Sequence, residues 1–262
     1  MATNTFSSLA AHLRAHTIPA PQSLHQNPKL ATAIALTATI TLIPALNRAA
    51  RSYRGFLALG PGGIPHNILG WSIQGILQLV AKWDTRSTAP FSDPKNRTPY
   101  EPHGTRTYLD AGAGPGPGNV PDRRGERPEV PGYVAPQRQT TQQGGAQVRA
   151  RMVAFLEDVA ARNPGVLAVR PSGLEGVGTP ALWLDVEGGR GVTVPGLADA
   201  EELVRKGWAE RHRLSGVWKV LPWGYVIVYA PRDEGEFEVW KGVVRAGVRF
   251  VCAGSGKEVV VD

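Results

Sequence analysis

From Leu30 to Leu46 the chain reads LATAIALTATITLIPAL, without one charged side chain. A run of about 17 such residues is close to the shortest helix that crosses a bilayer. Lys29 precedes it, and Arg48, Arg51 and Arg54 follow. Two other readings compete. A signal peptide fits poorly, because the run starts late and exits through Pro-Ala-Leu-Asn-Arg, which lacks a small-x-small site. A buried core helix is the other. The expectation is a transmembrane anchor over 29–47, with the cations behind it placing the C-terminal part in the cytosol.

Charge supports a membrane rather than a nucleic-acid partner. Residues 1–146 carry 14 Lys/Arg against 7 Asp/Glu, while residues 147–262 carry 15 of each. A nucleic-acid-binding domain would put its excess cations on the folded part. Here they flank an apolar segment, as suits anionic lipid, so membrane lipids are expected partners and nucleic acid is not. The single cysteine, Cys252, excludes an intramolecular disulfide and a Cys-rich zinc site. Residues 1–28 read as a mobile tail whose His12, His16 and His25 are too irregularly spaced for a metal set.

The rest divides by pattern. Residues 48–110 form a membrane-proximal region containing IPHNILGWSIQGILQLVAKW (64–83). There Ile68, Trp71, Ile76, Leu79, Val80 and Trp83 recur at helical spacing, giving an amphipathic helix for the lipid interface or for the soluble domain. Residues 111–127 are Gly/Pro-rich and read as an insertion or linker. From 128 to 262 the chain turns regular. QVRARMVAFLEDVAARN is an amphipathic helix, and VLAVRPS and ALWLDV are strands. DAEELVRKG is a helix with Asp199 as N-cap, Glu202 closing a capping box and Gly207 as its stop. WGYVIVYAP is the strongest strand, and a last helix begins at Asp233. Its cations Lys241, Arg245 and Arg249 lie towards its end. A short strand VVVD closes the chain. The expected class is α+β, a small mixed sheet packed with helices behind an anchor helix and an amphipathic helix.

Several motifs fail. GSGKE (254–258) lacks the Ser/Thr, the upstream glycine and the helix of a phosphate loop, and GPGPG has neither the strand nor the helix of one. Glu175, Asp185 and Glu187 read as loop and strand-edge charges rather than a carboxylate cluster. No metal or flavin motif appears, so no cofactor is expected.

One segment concentrates chemistry: KGWAERHRLSG (206–216), followed by WGYVIVYAPRDEGEFEVWKGVVRAGVRF. Together they resemble the fungal luciferase family, whose pattern is a helix ending in K-G-W-x-[EQ]-R-H-x-L-[AS]-G and a strand ending in Y-A-P-R. RSYRGFLALGPGGIPHNILGW and PQRQ (136–139) resemble further segments of that family, so the likeness spans most of 30–260 in order, apart from the Gly/Pro insertion. It implies a membrane-bound protein related to enzymes that oxidise 3-hydroxyhispidin, a planar polyketide pyrone, with O₂ and without metal or flavin. The sequence departs at two places. Trp183 stands where luciferases carry a strand histidine, and Arg213 stands where a proline follows the motif histidine.

A cofactor-free oxygenase needs an electron-rich enolate, a base near neutrality and a cation for the developing peroxide. The expected base is His212, and the expected anion clamp is Arg211 or Arg232. Trp208, Tyr229, Trp183 and Arg138 are the expected substrate contacts for a flat aromatic or polyketide substrate. The structural alternative for each is plain. Trp208 plugs the core, Glu210 pairs with Arg211, His212 bonds to backbone, Arg213 is solvated, and Arg232 pairs with the acidic start of its own helix. The two functional readings are therefore an oxygenase and a non-catalytic membrane-associated binding module.

Overall fold

The computed structural model describes residues 27–109, 120–172, 176–186, 189–192, 194–218 and 221–261. The tail histidines, most of the Gly/Pro run, Glu175 and Glu187 lie outside the described residues, as does the Asp185 side chain. The chain divides between Gly55 and Phe56 into two compact units.

Helix α1, Pro28–Ala58, carries the uncharged run. It is long and apolar enough to span a membrane. Its apolar side chains point in every direction around the helix and stay exposed, among them Leu30, Ile34, Leu36, Ile40, Leu42 and Leu46. A helix apolar all round is solvated by lipid or by a core, not by water. Its threonines hide their own polarity: the hydroxyls of Thr32, Thr37, Thr39 and Thr41 donate to carbonyls four residues back at 2.8–2.9 Å.

The first helix wholly within the second unit is α2, Ile68–Leu77, capped by Asn67 Oδ1, which accepts from the N–H groups of Leu69 and Gly70. Short helices α3 (Ala89–Ser92) and α4 (Pro94–Arg97) lead to a 3₁₀ turn at Thr98–Tyr100. Helix α5, Ala146–Ala161, precedes strands β1 (Leu167–Ser172), β2 (Gly176–Val186) and β3 (Gly189–Val192). Then follow α6 (Leu197–Arg205), β4 (Ala209–Arg211), β5 (Val226–Val228) and α7 (Glu234–Ala253). The class is α+β, but the strands form two antiparallel sheets, β1-β2-β3 and β4-β5, rather than one mixed sheet.

Two large apolar clusters and a smaller third build the core. Helix α6 turns Leu197, Ala200, Leu203 and Val204 inward, at helical spacing, against Trp208 and the α7 residues Val239, Val243 and Ala246. The opposite side of α7 gives Phe237, Trp240, Val248 and Cys252 to a second cluster with Leu156, Val159, Leu167 and Leu182. Burying a leucine such as Leu203 in this way stabilises by about 2 kcal/mol, and α7 ties both large clusters together.

Four expectations change. Gly196, not Asp199, precedes α6. Asp199 sits one turn in, fully buried, where its carboxylate accepts from Thr107 Oγ1 at 2.6 Å and from the Tyr108 N–H at 3.0 Å. It thus pins the 107–109 segment, and Glu202 pairs with Arg205 instead of closing a box. The described residues 259–261 of the VVVD segment form no strand, because a side chain takes the ladder's place: Asn163 donates to the Val260 carbonyl at 2.8 Å and accepts its N–H at 2.8 Å. Helix α7 runs on to Ala253, so Lys241, Arg245 and Arg249 fall short of its last turn. Finally, residues 120–127 are anchored to the domain at two points. Val120 and Arg123 are buried, and the Arg123 N–H bonds to the Lys206 carbonyl at 2.9 Å.

Candidate functional site

Gly207 ends α6 at φ +82°, a left-handed conformation that suits glycine. The chain then enters β4 directly, so KGWAERHRLSG is a buried edge strand and its exit turn rather than a connector. β4 pairs with β5 through Ala209↔Val228, Glu210↔Ile227 and Arg211↔Val226. One further bond at each end extends the ladder, from the Tyr229 N–H to the Trp208 carbonyl at 2.9 Å and from the His212 N–H to the Tyr225 carbonyl at 3.1 Å.

Residues on a strand alternate in direction, and that decides the partners. Glu210 turns away from Arg211, so the ion pair expected between them does not form. Glu210 Oε2 instead accepts from the Tyr229 hydroxyl at 3.1 Å and from Arg86 Nε at 3.4 Å. Burial, with Glu210 beside it, raises the pKa of the Tyr229 phenol. The Arg123 guanidinium lies 5.4 Å from the Tyr229 ring centroid and 6.0 Å from that of Trp208. Trp208 is core, and its indole N–H donates to the Pro121 carbonyl at 2.6 Å.

Arg211 is buried and donates to the Asp84 carbonyl. Its backbone N–H reaches the Thr85 carbonyl at 2.8 Å. Burial lowers its pKa, and Asp84 opposes that shift. Arg213, expected in solvent, is 7% exposed. It lies 4.9 Å from the Trp83 ring centroid, and burial lowers its pKa against the pull of Glu210.

His212 lies between these cations in sequence and is 1% exposed. Its ring stands edge-on to Tyr225 with centroids 5.2 Å apart. Nδ1 accepts the Leu214 backbone N–H at 3.1 Å, so in the neutral ring the proton sits on Nε2. Burial, then the Arg213 charge, lowers its pKa to about 4, with the Val134 backbone opposing both. No acceptor meets hydrogen-bond geometry at Nε2. The group presented near neutral pH is therefore a buried N–H donor, not a free base. The Nε atoms of Arg211 and Arg213 are buried and unpartnered too.

The other expected residues are placed elsewhere. Arg232 grips Glu236 through Nε at 2.8 Å and the Arg124 carbonyl through Nη2 at 2.7 Å. Glu236 also meets Arg123 at 3.3 Å, so Arg232 reaches Tyr229 only through that buried chain. Arg138 binds the Leu59 and Pro61 carbonyls at 2.6 and 2.7 Å. Trp183 belongs to the other sheet, opposite Ala168 and Val192.

Two residues that organise the motif were not expected. Gln137 Oε1 accepts the Arg213 N–H at 2.7 Å, and Gln139 Oε1 accepts the Ala230 N–H at 2.8 Å. In PQRQ the two glutamines, two positions apart, point one way and Arg138 the other, so a single extended segment straps both ends of the hairpin. That alternation was the available signal.

Residues 195–247, from the entry to α6 into α7, match the family model of the Luciferase domain. The chain carries a luciferase-like domain. The matched stretch includes Trp208, Arg211, His212, Tyr229 and Arg232, and it excludes Trp183 and Arg138. Searches of curated proteins and of solved structures gave no match. Among the described residues, no three His, Cys, Asp or Glu side chains come together as a metal-ligand set.

Proposed function

We propose that this luciferase-like protein is a membrane-anchored oxygenase that combines an enolic polyketide of the hydroxypyrone class with O₂ and uses no metal or flavin. The observation that carries the proposal is the His212 Nε2–H, a buried donor that has only the Val134 backbone near it, outside strict hydrogen-bond geometry, and that feels the buried Arg213 charge. A hydroxypyrone is a vinylogous acid and ionises in neutral water, so it needs a donor for its enolate oxygen more than a base. In this reading His212 donates to that oxygen, and Arg211 and Arg213 supply positive potential. The enolate passes one electron to O₂. The resulting substrate radical and superoxide join to form a C–O bond, and the charge ends on the peroxide. Helix α1 anchors the chain, with Arg48, Arg51 and Arg54 on the cytosolic side.

A second reading, a non-catalytic binding module, is favoured by a specific observation: Trp208, Tyr229, Arg138 and Arg232 all have structural partners. Oxygen uptake separates the two. Detergent-solubilised full-length protein is given a panel of hydroxypyrones in an oxygen electrode. The oxygenase reading expects substrate-dependent uptake that falls about 100-fold in His212→Gln. Pyrone binding without uptake, or uptake unchanged in that variant, overturns it.

A further inference from the structure

Helix α2 is inside out for a soluble protein. Its polar Gln74 is 1% exposed and accepts the Val134 N–H at 3.0 Å, while its apolar Ile68, Leu69 and Ile76 face outward. At about 100° per residue these three fall within one arc, opposite the side that carries Gly70 and Gln74. At Gly70 the chain entering the helix folds so close that a Cβ would lie 1.7 Å from the Pro65 carbonyl oxygen. The Gln74 bond to Val134 fixes the orientation. Just beyond the helix, Leu79 is 84% exposed and Trp83 62% exposed. Ala81 shares an apolar cluster with Val134, Leu214 and Val217. The exposed Trp218 follows Val217, so a second indole emerges from the same cluster.

We infer that the outward face of α2, continued by Leu79, Trp83 and Trp218, is seated in the interfacial region of an anionic lipid bilayer. Two observations choose lipid over a protein partner. The first carboxylate in the chain is Asp84, so Arg14, Lys29, Arg48, Arg51, Arg54 and Lys82 precede it without one opposing charge. Ile68 also follows Ala58 by ten residues. A chain of that length spans at most about 35 Å, which keeps the face near any membrane that α1 crosses. Indoles beside cations suit the headgroup level. Of these two observations only the tether takes α1 as an anchor, and the test separates the two claims.

Single cysteines are introduced in the full-length chain at Leu79→Cys, Leu42→Cys and, on the exposed side of α5, Glu157→Cys. They are labelled with a polarity-sensitive fluorophore in the native state, where buried Cys252 does not react. The proteins are reconstituted in phosphatidylcholine vesicles containing phosphatidylserine, with nitroxide-bearing lipids as quenchers. The inference expects the Leu79 probe to be quenched several-fold more than the Glu157 probe by headgroup-level nitroxide, and the Leu42 probe to be quenched by deep nitroxide. A quenched Leu42 probe with an unquenched Leu79 probe overturns the inference and leaves the anchor standing. A Leu79 probe that turns blue without quenching is covered by protein, which also overturns it. A quenched Leu79 probe with an unquenched Leu42 probe supports the lipid face and removes the anchor.

Discussion

His212 ties stability to pH in one direction. The unfolded imidazole takes up a proton as pH falls through about 6.5, while the buried ring resists until about 4. Above pH 6.5 both states are neutral and the group contributes nothing. Between 6.5 and 4 the unfolded state binds the extra proton, so stability falls by about 3 kcal/mol and then levels off. Denaturant unfolding in detergent from pH 7.5 to 4 checks this: His212→Gln loses that part of the slope, and parallel pH profiles for the two proteins contradict it. Gly216 makes a second residue-scale case. At φ +71° its added Cβ would lie 2.2 Å from Trp223 Cε2. Gly216→Ala therefore costs more than the roughly 1–2 kcal/mol of a left-handed residue, and thermal melts show a clear drop. Gly254→Ala, where nothing lies within 4 Å, leaves the melting temperature nearly unchanged.

At the scale of elements, the β4–β5 hairpin has only three paired residues on each strand and is completed by side chains. Replacing Gln137 by Leu leaves the buried Arg213 N–H without an acceptor, at a cost of about 1–3 kcal/mol in urea unfolding. A change below a few tenths of that contradicts the strap. The same substitution of Arg149, which lies on the exposed side of α5, is mild. This hairpin also shows where the sequence was legible. The helical spacing of Leu156 and Val159, the start of the last helix at Asp233, whose Oδ1 accepts the Glu236 N–H, and Gly207 as a stop all rest on local chemistry, and each forms as its spacing implies. The long-range pairings were not legible. Asp199 looks like a cap because its partners, Thr107 and Tyr108, lie about 90 residues away. WGYVIVYAP looks like a long strand because nothing local shows that Gln139 takes over its ladder at Ala230. His212 looks like a base until the Leu214 N–H occupies Nδ1.

For the whole molecule, the uncharged run and the late first carboxylate were plain in the sequence, whereas the reversal of α2 was not. An amphipathic pattern defines two faces but not which of them the fold covers; the Gln74 bond to Val134 decides that. In the proposed reading, an apolar helix long enough to span a membrane, an apolar face turned outward and a buried donor in a luciferase-like domain serve one activity: oxygenation of an enol at a membrane. Its most direct test uses ¹⁸O₂. Full-length protein in vesicles is incubated with a hydroxypyrone under ¹⁸O₂, and the products are examined by mass spectrometry. The account predicts ¹⁸O in the pyrone-derived product, lost in His212→Gln. A pyrone recovered without ¹⁸O, or one labelled equally by the wild type and that variant, contradicts it.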